Sequence, residues 1–293
     1  MRVDPVSMEN VAEYVSYCRR YGAEHDDSFL PDDAFAPTDE YPAYLLLAGD
    51  DAVGAVGLLR TKQYRDRRKA RLAIFHSVEQ SPEAYALLLA AIRQHTGGLK
   101  SVYGFLPEAK AEVRRCWEAI GFSLERYVYW MAYRSREVPP TPVPEGYSLT
   151  ALTQADEAEI REMCDLWAHN YGGQLGYVGA TPEHILGSFD SEDHVPGGVL
   201  LLRHGTTPVG TVHVLREQES NSALVGMVSV HSDHRGQGLG HLLLRRAIEV
   251  ALHNGLSPVY LSVNAANPSA VGLYRSVGFV EESVYVVYAL TVS

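Results

Sequence analysis

The stretch VHSDHRGQGLGHLLLRRAIEVALHNG, Val230–Gly255, decides how this chain is read. Gly236, Gly238 and Gly240 fall within five residues, after an apolar run and before a leucine-rich helical pattern. Glycine loses more backbone freedom on ordering than any other residue, so a cluster of it points to positive φ or to a closely approaching ligand. A strand that passes into a helix through such a turn aims free N–H groups and the positive helix end at one point, an arrangement that binds phosphate. Arg235 adds a permanent cation beside it. A tight connection that holds no ligand is the plainer alternative. Two other phosphate motifs fit poorly. His241 stands where a P-loop requires lysine, and the alternation G-x-G-x-G is not the dinucleotide fingerprint G-x-G-x-x-G.

The same grammar occurs twice. ARLAIFHSVEQSPEAYALLLAAI, Ala70–Ile92, can be laid on Val225–Ile248, so that His76 meets His231 and Leu87–Leu89 meet Leu242–Leu244. Further on, Gly121-Phe122 matches Gly278-Phe279. Between the copies lies RSREVPPTPVPEGY, Arg134–Tyr147, whose prolines prevent helix and sheet and favour an extended connector. The expected organisation is a diverged tandem duplication: 1–138, a proline-rich linker at 139–146, and 147–293. Each half reads as strand, one or two helices, three strands, helix, strand, helix and closing strands, an α/β (α+β layered) fold with a mixed, mostly antiparallel sheet flanked by helices. In the second half a helix is expected from Asp156 to Asn170, and strands at 197–203, 208–215 and 223–230. A helix running to His253 follows, stopped by Gly255, then a strand at 258–264. The last helix is capped by Asn267, started by Pro268 and ended at Gly278.

The 293 residues suit two domains, and 46% hydrophobic content suits a packed core. A formal charge of −11 argues against nucleic acid as a partner. It is compatible with a cationic small molecule, and equally with simple solubility. No window of ~18 apolar residues predicts a membrane span. The opening residues lack the regions of a signal peptide, and Cys18, Cys116 and Cys164 lie far apart, so a cytoplasmic protein with free thiols is expected. Monomer and homodimer are both open.

A second motif joins the first. NAANPSAVGLYRSVGF puts Asn264 at a strand end, Asn267 at a helix cap and Tyr274 two turns into that helix. The pair R/Q-x-x-G-x-G/A (Arg235, Gly238, Gly240) and N-x-x-A-x-x-L-Y-x-x-x-G-F (Asn267, Ala270, Leu273, Tyr274, Gly278, Phe279) resembles the GNAT acetyltransferase superfamily in order and spacing. The resemblance covers 147–293 and, through the repeat, extends more weakly to the first half. It implies acetyl-CoA as cosubstrate and no metal. Its pyrophosphate would lie on Arg235, Gly236, Gln237, Gly238, Leu239, Gly240 and His241, with Asn267 as a further contact. The strand residues Val228, Ser229 and Val230 would hold the pantetheine arm and the thioester carbonyl, stabilising the developing oxyanion. Tyr274 would be the general acid that protonates the leaving thiolate.

An acceptor amine must lose a proton, and many members supply a strand glutamate. This chain has Leu224 to Ser229 there, with no carboxylate. His213, Glu217, Glu219 and His231 are the remaining candidates. His231 and His234 have a ligand-like spacing without further ligands. Acceptor contacts are expected from Trp167, Asn170, Tyr171, Gln174, Tyr177 and Asn264; an interdomain face would need the same residue types. In the first half Glu83 and Tyr85 occupy the glycine positions, Pro82 removes an N–H, and Trp117 replaces the tyrosine, so no acetyl-CoA binding is expected there. The acidic run Glu24–Phe35 reads as a cleft lining or a solvated loop. The implied activity is acetyl transfer to a primary amine of a small molecule. The tandem arrangement is also distantly similar to the mycothiol synthases, and the last helix to peptide N-terminal acetyltransferases; a non-catalytic acyl-CoA sensor is the non-enzymatic alternative.

Overall fold

A computed structural model describes residues 1–25, 28–172, 180–217 and 220–292. The chain divides into two compact units, Met1–Val128 with Val284–Ser293, and Tyr129–Ser283.

The first unit runs β1 (Arg2–Pro5), α1 (Val11–Tyr21), β2 (Ala43–Ala48), β3 (Asp51–Leu59), α2 (Lys62–Asp66), β4 (Lys69–Ser77), α3 (Pro82–Arg93), β5 (Ser101–Pro107), α4 (Ala111–Ala119) and the start of β6 (Ser123–Tyr133). Strands β1 to β4 pair antiparallel in sequence order, and β4 pairs parallel with β5. The last strand of this unit comes from the far end of the chain: Tyr285–Thr291 runs antiparallel to β5. One face of the sheet packs on α3 and α4 through Leu88, Ile92 and Trp117, and the other on α1 through Tyr14 and Cys18. Within the acidic run, Glu24 pairs with Lys110 at 3.3 Å and Asp33 with Arg19 at 2.9 Å.

The second unit takes in the end of β6 and then β7 (Tyr147–Ala151), α5 (Glu157–Tyr171), α6 (Pro182–Ser188), β8 (His194–His204), β9 (Thr207–Arg216), β10 (Ala223–Val230), α7 (Leu239–His253), β11 (Val259–Asn264), α8 (Pro268–Val277) and the start of β12 (Val280–Thr291). Its sheet order is β6-β11-β10-β9-β8-β7, with β10 and β11 parallel and β7 to β10 antiparallel. The helical period of α7 drives Leu242, Leu243, Ala247, Ile248 and Ala251 into the sheet. Fully burying each leucine contributes about 2 kcal/mol. The opposite face is covered by Ile160, Met163 and Trp167 of α5.

The expected elements appear, with Gly255 (φ +72°) after α7, and Asn267 accepting from the Ala270 N–H to cap α8 at 3.1 Å. Two expectations about layout change. The closing strand pair of each half is one long strand. The compact units divide within β6 and within β12: Ser123–Val128 and Val284–Thr291 belong to the first unit, Tyr129–Tyr133 and Val280–Ser283 to the second. Residues 134–146 do lack helix and strand. They are not a free connector, however: Arg245 donates to Thr141 Oγ1 (3.1 Å) and Arg246 to the Thr141 carbonyl (2.9 Å), while Val138 and Val143 pack on the second unit's core.

Candidate active site

The site begins where a parallel pair fails to stay parallel. β10 and β11 pair only at Ala223–Val259 and Leu224–Tyr260. A bulge between Val225 and Met227 then shifts the β10 register against β9, and the two parallel strands part. Bulges bend a strand and re-aim its groups, and they recur beside active sites. The opening is a cavity of about 710 Å³, in the range of small-molecule and cofactor sites. Its walls are Val225–Val230 of β10, Ser262–Asn264 of β11, the glycine turn, one face of α8, and Asn170 and Tyr171 at the end of α5.

The three glycines serve two purposes. Gly236 (φ +76°) and Gly238 (φ +79°) hold a left-handed backbone that side chains oppose, and a Cβ at either would meet open space. Gly240 has ordinary φ; a Cβ there would come within 2.9 Å of Leu273 Cδ2, so it sets how closely α7 approaches α8. No side chain caps α7: Gly238 stands at the N-cap, and the first helical bond shown from its carbonyl goes to Leu242. The N–H groups of Leu239, Gly240 and His241 therefore lack intrahelical acceptors at the positive end of a 15-residue helix. Arg235, Gly236, Gly238, Leu239, Gly240 and His241 all line the cavity; Gln237 does not, its Oε1 accepting from Tyr147 at 2.9 Å. The Arg235 guanidinium donates to the Val230 carbonyl (3.0 Å) and reaches Asn170 Oδ1 at 3.4 Å. His241 meets Ser276 Oγ at 2.7 Å.

From α8, Tyr274 lines the same cavity and is 8% exposed. Burial pushes its phenol up to about 12, so it is protonated throughout the neutral range. Asn267 also lines the cavity while serving as the helix cap, and Asn264 lines it with its Oδ1 accepting from the Ala266 N–H. Ser269 and Ser276 are wall residues that the motifs do not name. Their spacing of seven, with Gly272 and Leu273 between, puts them on one helical face, and that period was the available signal.

The α5 residues separate. Trp167, expected at the acceptor, is fully buried in the core under α5 with its Nε1 hydrogen-bonded to Thr211 Oγ1, and it is not among the residues that line the cavity. Tyr171 does line it, donating a short hydrogen bond to the Val228 carbonyl. Asn170 Nδ2 donates to Ser229 Oγ at 3.0 Å. Gln174 and Tyr177 lie outside the described residues.

The proton acceptors considered above do not converge either. His213 is buried against Trp167 (ring centroids 6.3 Å), and burial, with His184 and His194 nearby, holds it down to about 4. His231 accepts from the Asp233 N–H and stacks on His169 at 5.1 Å, away from the cavity lining. Glu217 is not a wall residue, and Glu219 lies outside the described residues. Among the described residues no aspartate or glutamate lines the cavity.

The first unit begins the same way and ends differently. β4 and β5 pair at three positions, Lys69–Ser101 to Arg71–Tyr103, and then part. Aromatic rings fill the space: Phe75 lies 5.1 Å from both Tyr85 and Trp117, and Trp117 lies 5.1 Å from Phe122. Trp117 holds the same place in α4 that Tyr274 holds in α8, four residues before a glycine with positive φ, Gly121 and Gly278. A Cβ on Gly104 would come within 2.8 Å of the Trp117 ring. Helix α3 starts on Pro82 and is capped by Ser81, whose Oγ accepts from the Ala84 N–H.

Residues 160–279 match the acetyltransferase (GNAT) family. The chain is 36% identical over 213 residues to mycothiol acetyltransferase from Thermobispora bispora, covering 69% of each. The chain belongs to the GNAT acetyltransferase family, as a tandem member. A tandem GNAT protein from the clavulanic acid biosynthesis pathway has the same fold, with a TM-score of 0.71 at 17% identity, covering 99% of this chain and 98% of that one. A segment of 90 residues is 37% identical to human N-acetyltransferase 8B, covering 31% of this chain and 36% of that protein's length.

Proposed function

We propose that the chain transfers an acetyl group from acetyl-CoA to a primary amine of a small molecule, using the second unit alone. The observation that carries this reading is the meeting, in one cavity, of an uncapped helix N-terminus, a bulged strand edge and a protonated phenol. The cavity's volume and its cradle of unpaired N–H groups fit a long cosubstrate with a phosphate-bearing end. When bound, acetyl-CoA supplies an activated acyl thioester. The N–H groups of Leu239 to His241 and the Arg235 guanidinium are the donors for its pyrophosphate, and Asn267 is a second contact. Residues Val228–Val230 offer backbone groups to the pantetheine arm. Tyr274 holds the proton that the sulfur takes as its bond to carbon breaks and the amine nitrogen's bond to that carbon forms. With no aspartate or glutamate among the described wall residues, water is the acceptor for the proton the amine gives up.

The first unit keeps the fold and does not bind acetyl-CoA. Its aromatic filling occupies the space, and Ser81 satisfies a donor that the anion would need. A mycothiol acetyltransferase-like acceptor is the second reading, favoured by the 36% identity over 69% of the chain.

The test is thiol release from acetyl-CoA, followed with a chromogenic thiol reagent over amino sugars, aminoglycosides, polyamines and peptides. Amine-dependent release is expected for at least one class. Tight acetyl-CoA binding with no release from any class overturns the transferase reading in favour of a sensor.

A further inference from the structure

Tyr171 was expected to meet the acceptor, but its hydroxyl is already engaged. It donates to the Val228 carbonyl, so the direction of that carbonyl matters. His231 N–H donates to the Val209 carbonyl at 2.8 Å, which turns His231 towards β9. Along an antiparallel strand the backbone groups of successive residues alternate sides. Val230 therefore faces away from β9, Ser229 towards it and Val228 away. The carbonyls agree: Val230 accepts from Arg235 and Val228 from Tyr171. Because N–H and C=O of one residue point the same way in such a ladder, the Val228 N–H also faces the gap left by β11. That gap is the cavity.

The last turn of α5 holds this edge at two further points. Asn170 ties to Ser229 on β10 and, through Oδ1, to Arg235 of the glycine turn. β9 still pairs with Met227–Val230 along one side of the strand, but on the side that β11 has left no ladder partner among the described residues meets the outward groups of Val228 and Val230. α5 supplies a restraint there.

We infer that Tyr171 is a positioning residue: by holding the Val228 carbonyl it fixes the neighbouring N–H as a donor aimed into the cleft, where an acyl carbonyl oxygen is recognised. It also covers a carbonyl whose negative end would otherwise face that oxygen. The inference rests on the acetyl-CoA reading above, and it assigns to Tyr171 discrimination of the acyl group instead of contact with the amine.

The experiment compares acetyl-CoA with CoA on the full chain by titration calorimetry, for wild type and Tyr171→Phe. The substitution keeps the ring and removes one hydroxyl. Expected are CoA affinity within about twofold of wild type, an acetyl-CoA-to-CoA affinity ratio lowered by about three- to tenfold, as for one hydrogen bond, and kcat lowered more than the KM for acetyl-CoA. The infrared stretch of a ¹³C-labelled thioester carbonyl should move back towards its free value in the variant. Should Tyr171→Phe fold poorly, Asn170→Ala, which frees Ser229 from the other side, is expected to lower the same ratio. An unchanged ratio and an unchanged carbonyl stretch in a folded, CoA-binding variant overturn the inference alone. Failure of the wild type to bind either ligand overturns the acetyl-CoA reading beneath it.

Discussion

Tyr274→Phe is expected to lower kcat roughly 10²-fold with acetyl-CoA affinity unchanged, the range for loss of one general acid. The ring is 8% exposed and packed beside Phe279, with centroids 6.2 Å apart, so phenylalanine keeps the packing and removes only the oxygen. The lower end of the range applies because burial makes this phenol a weaker acid, pushed up to about 12. The sign in pH follows. An acid must carry its proton, and this one keeps it up to about pH 12, so Tyr274 imposes no fall in kcat between pH 6 and 10. Steady-state thiol release across that range measures both effects. An alkaline limb near pH 8 that disappears in Tyr274→Phe would assign the phenol a different ionisation and weaken its role as acid.

Trp117→Ala should be the costliest single change to stability, about 3–5 kcal/mol, as for truncating a buried tryptophan. The side chain is 1% exposed and touches Phe75, Phe122 and Tyr288 in the space where β4 and β5 part. Denaturant unfolding followed by circular dichroism reads the loss as an earlier transition of the first unit. The void is not expected to restore a cofactor site. Tyr85 still fills the region beside it, α3 is still capped by Ser81, and Glu83 stands in its first turn. A variant with wild-type stability would mean that the aromatic filling is incidental.

The glycine turn, the α8 cap and Tyr274 were legible in the sequence because each is a local requirement: positive φ, a side-chain oxygen three residues before an N–H, a residue on a fixed helical face. The side chains that stand in the first copy where the second has glycines and Tyr274 were legible for the same reason, since Tyr85 and Trp117 stand at register positions the repeat defines. Trp167 was not. Helical period puts it on the inner face of α5 but cannot say whether that face meets core or cavity, and the Thr211 partner that buries it lies 44 residues away. Nor could local pattern show that the compact units divide within β6 and β12, because that division is settled by non-local contacts. The role of Tyr171 needed the bulge at Gly226, which a single glycine within a strand only hints at.

The central claim is one acetyl-CoA site per chain, in the second unit. Titration calorimetry of the full chain tests it directly, with Gly238→Val as the partner variant. A β-branched residue at φ +79° costs about 1–3 kcal/mol of backbone strain and disturbs the N–H cradle, so affinity should fall roughly 10- to 100-fold. The predicted result is a stoichiometry of one that weakens in Gly238→Val. A stoichiometry of two, or a single site indifferent to Gly238→Val, would contradict it.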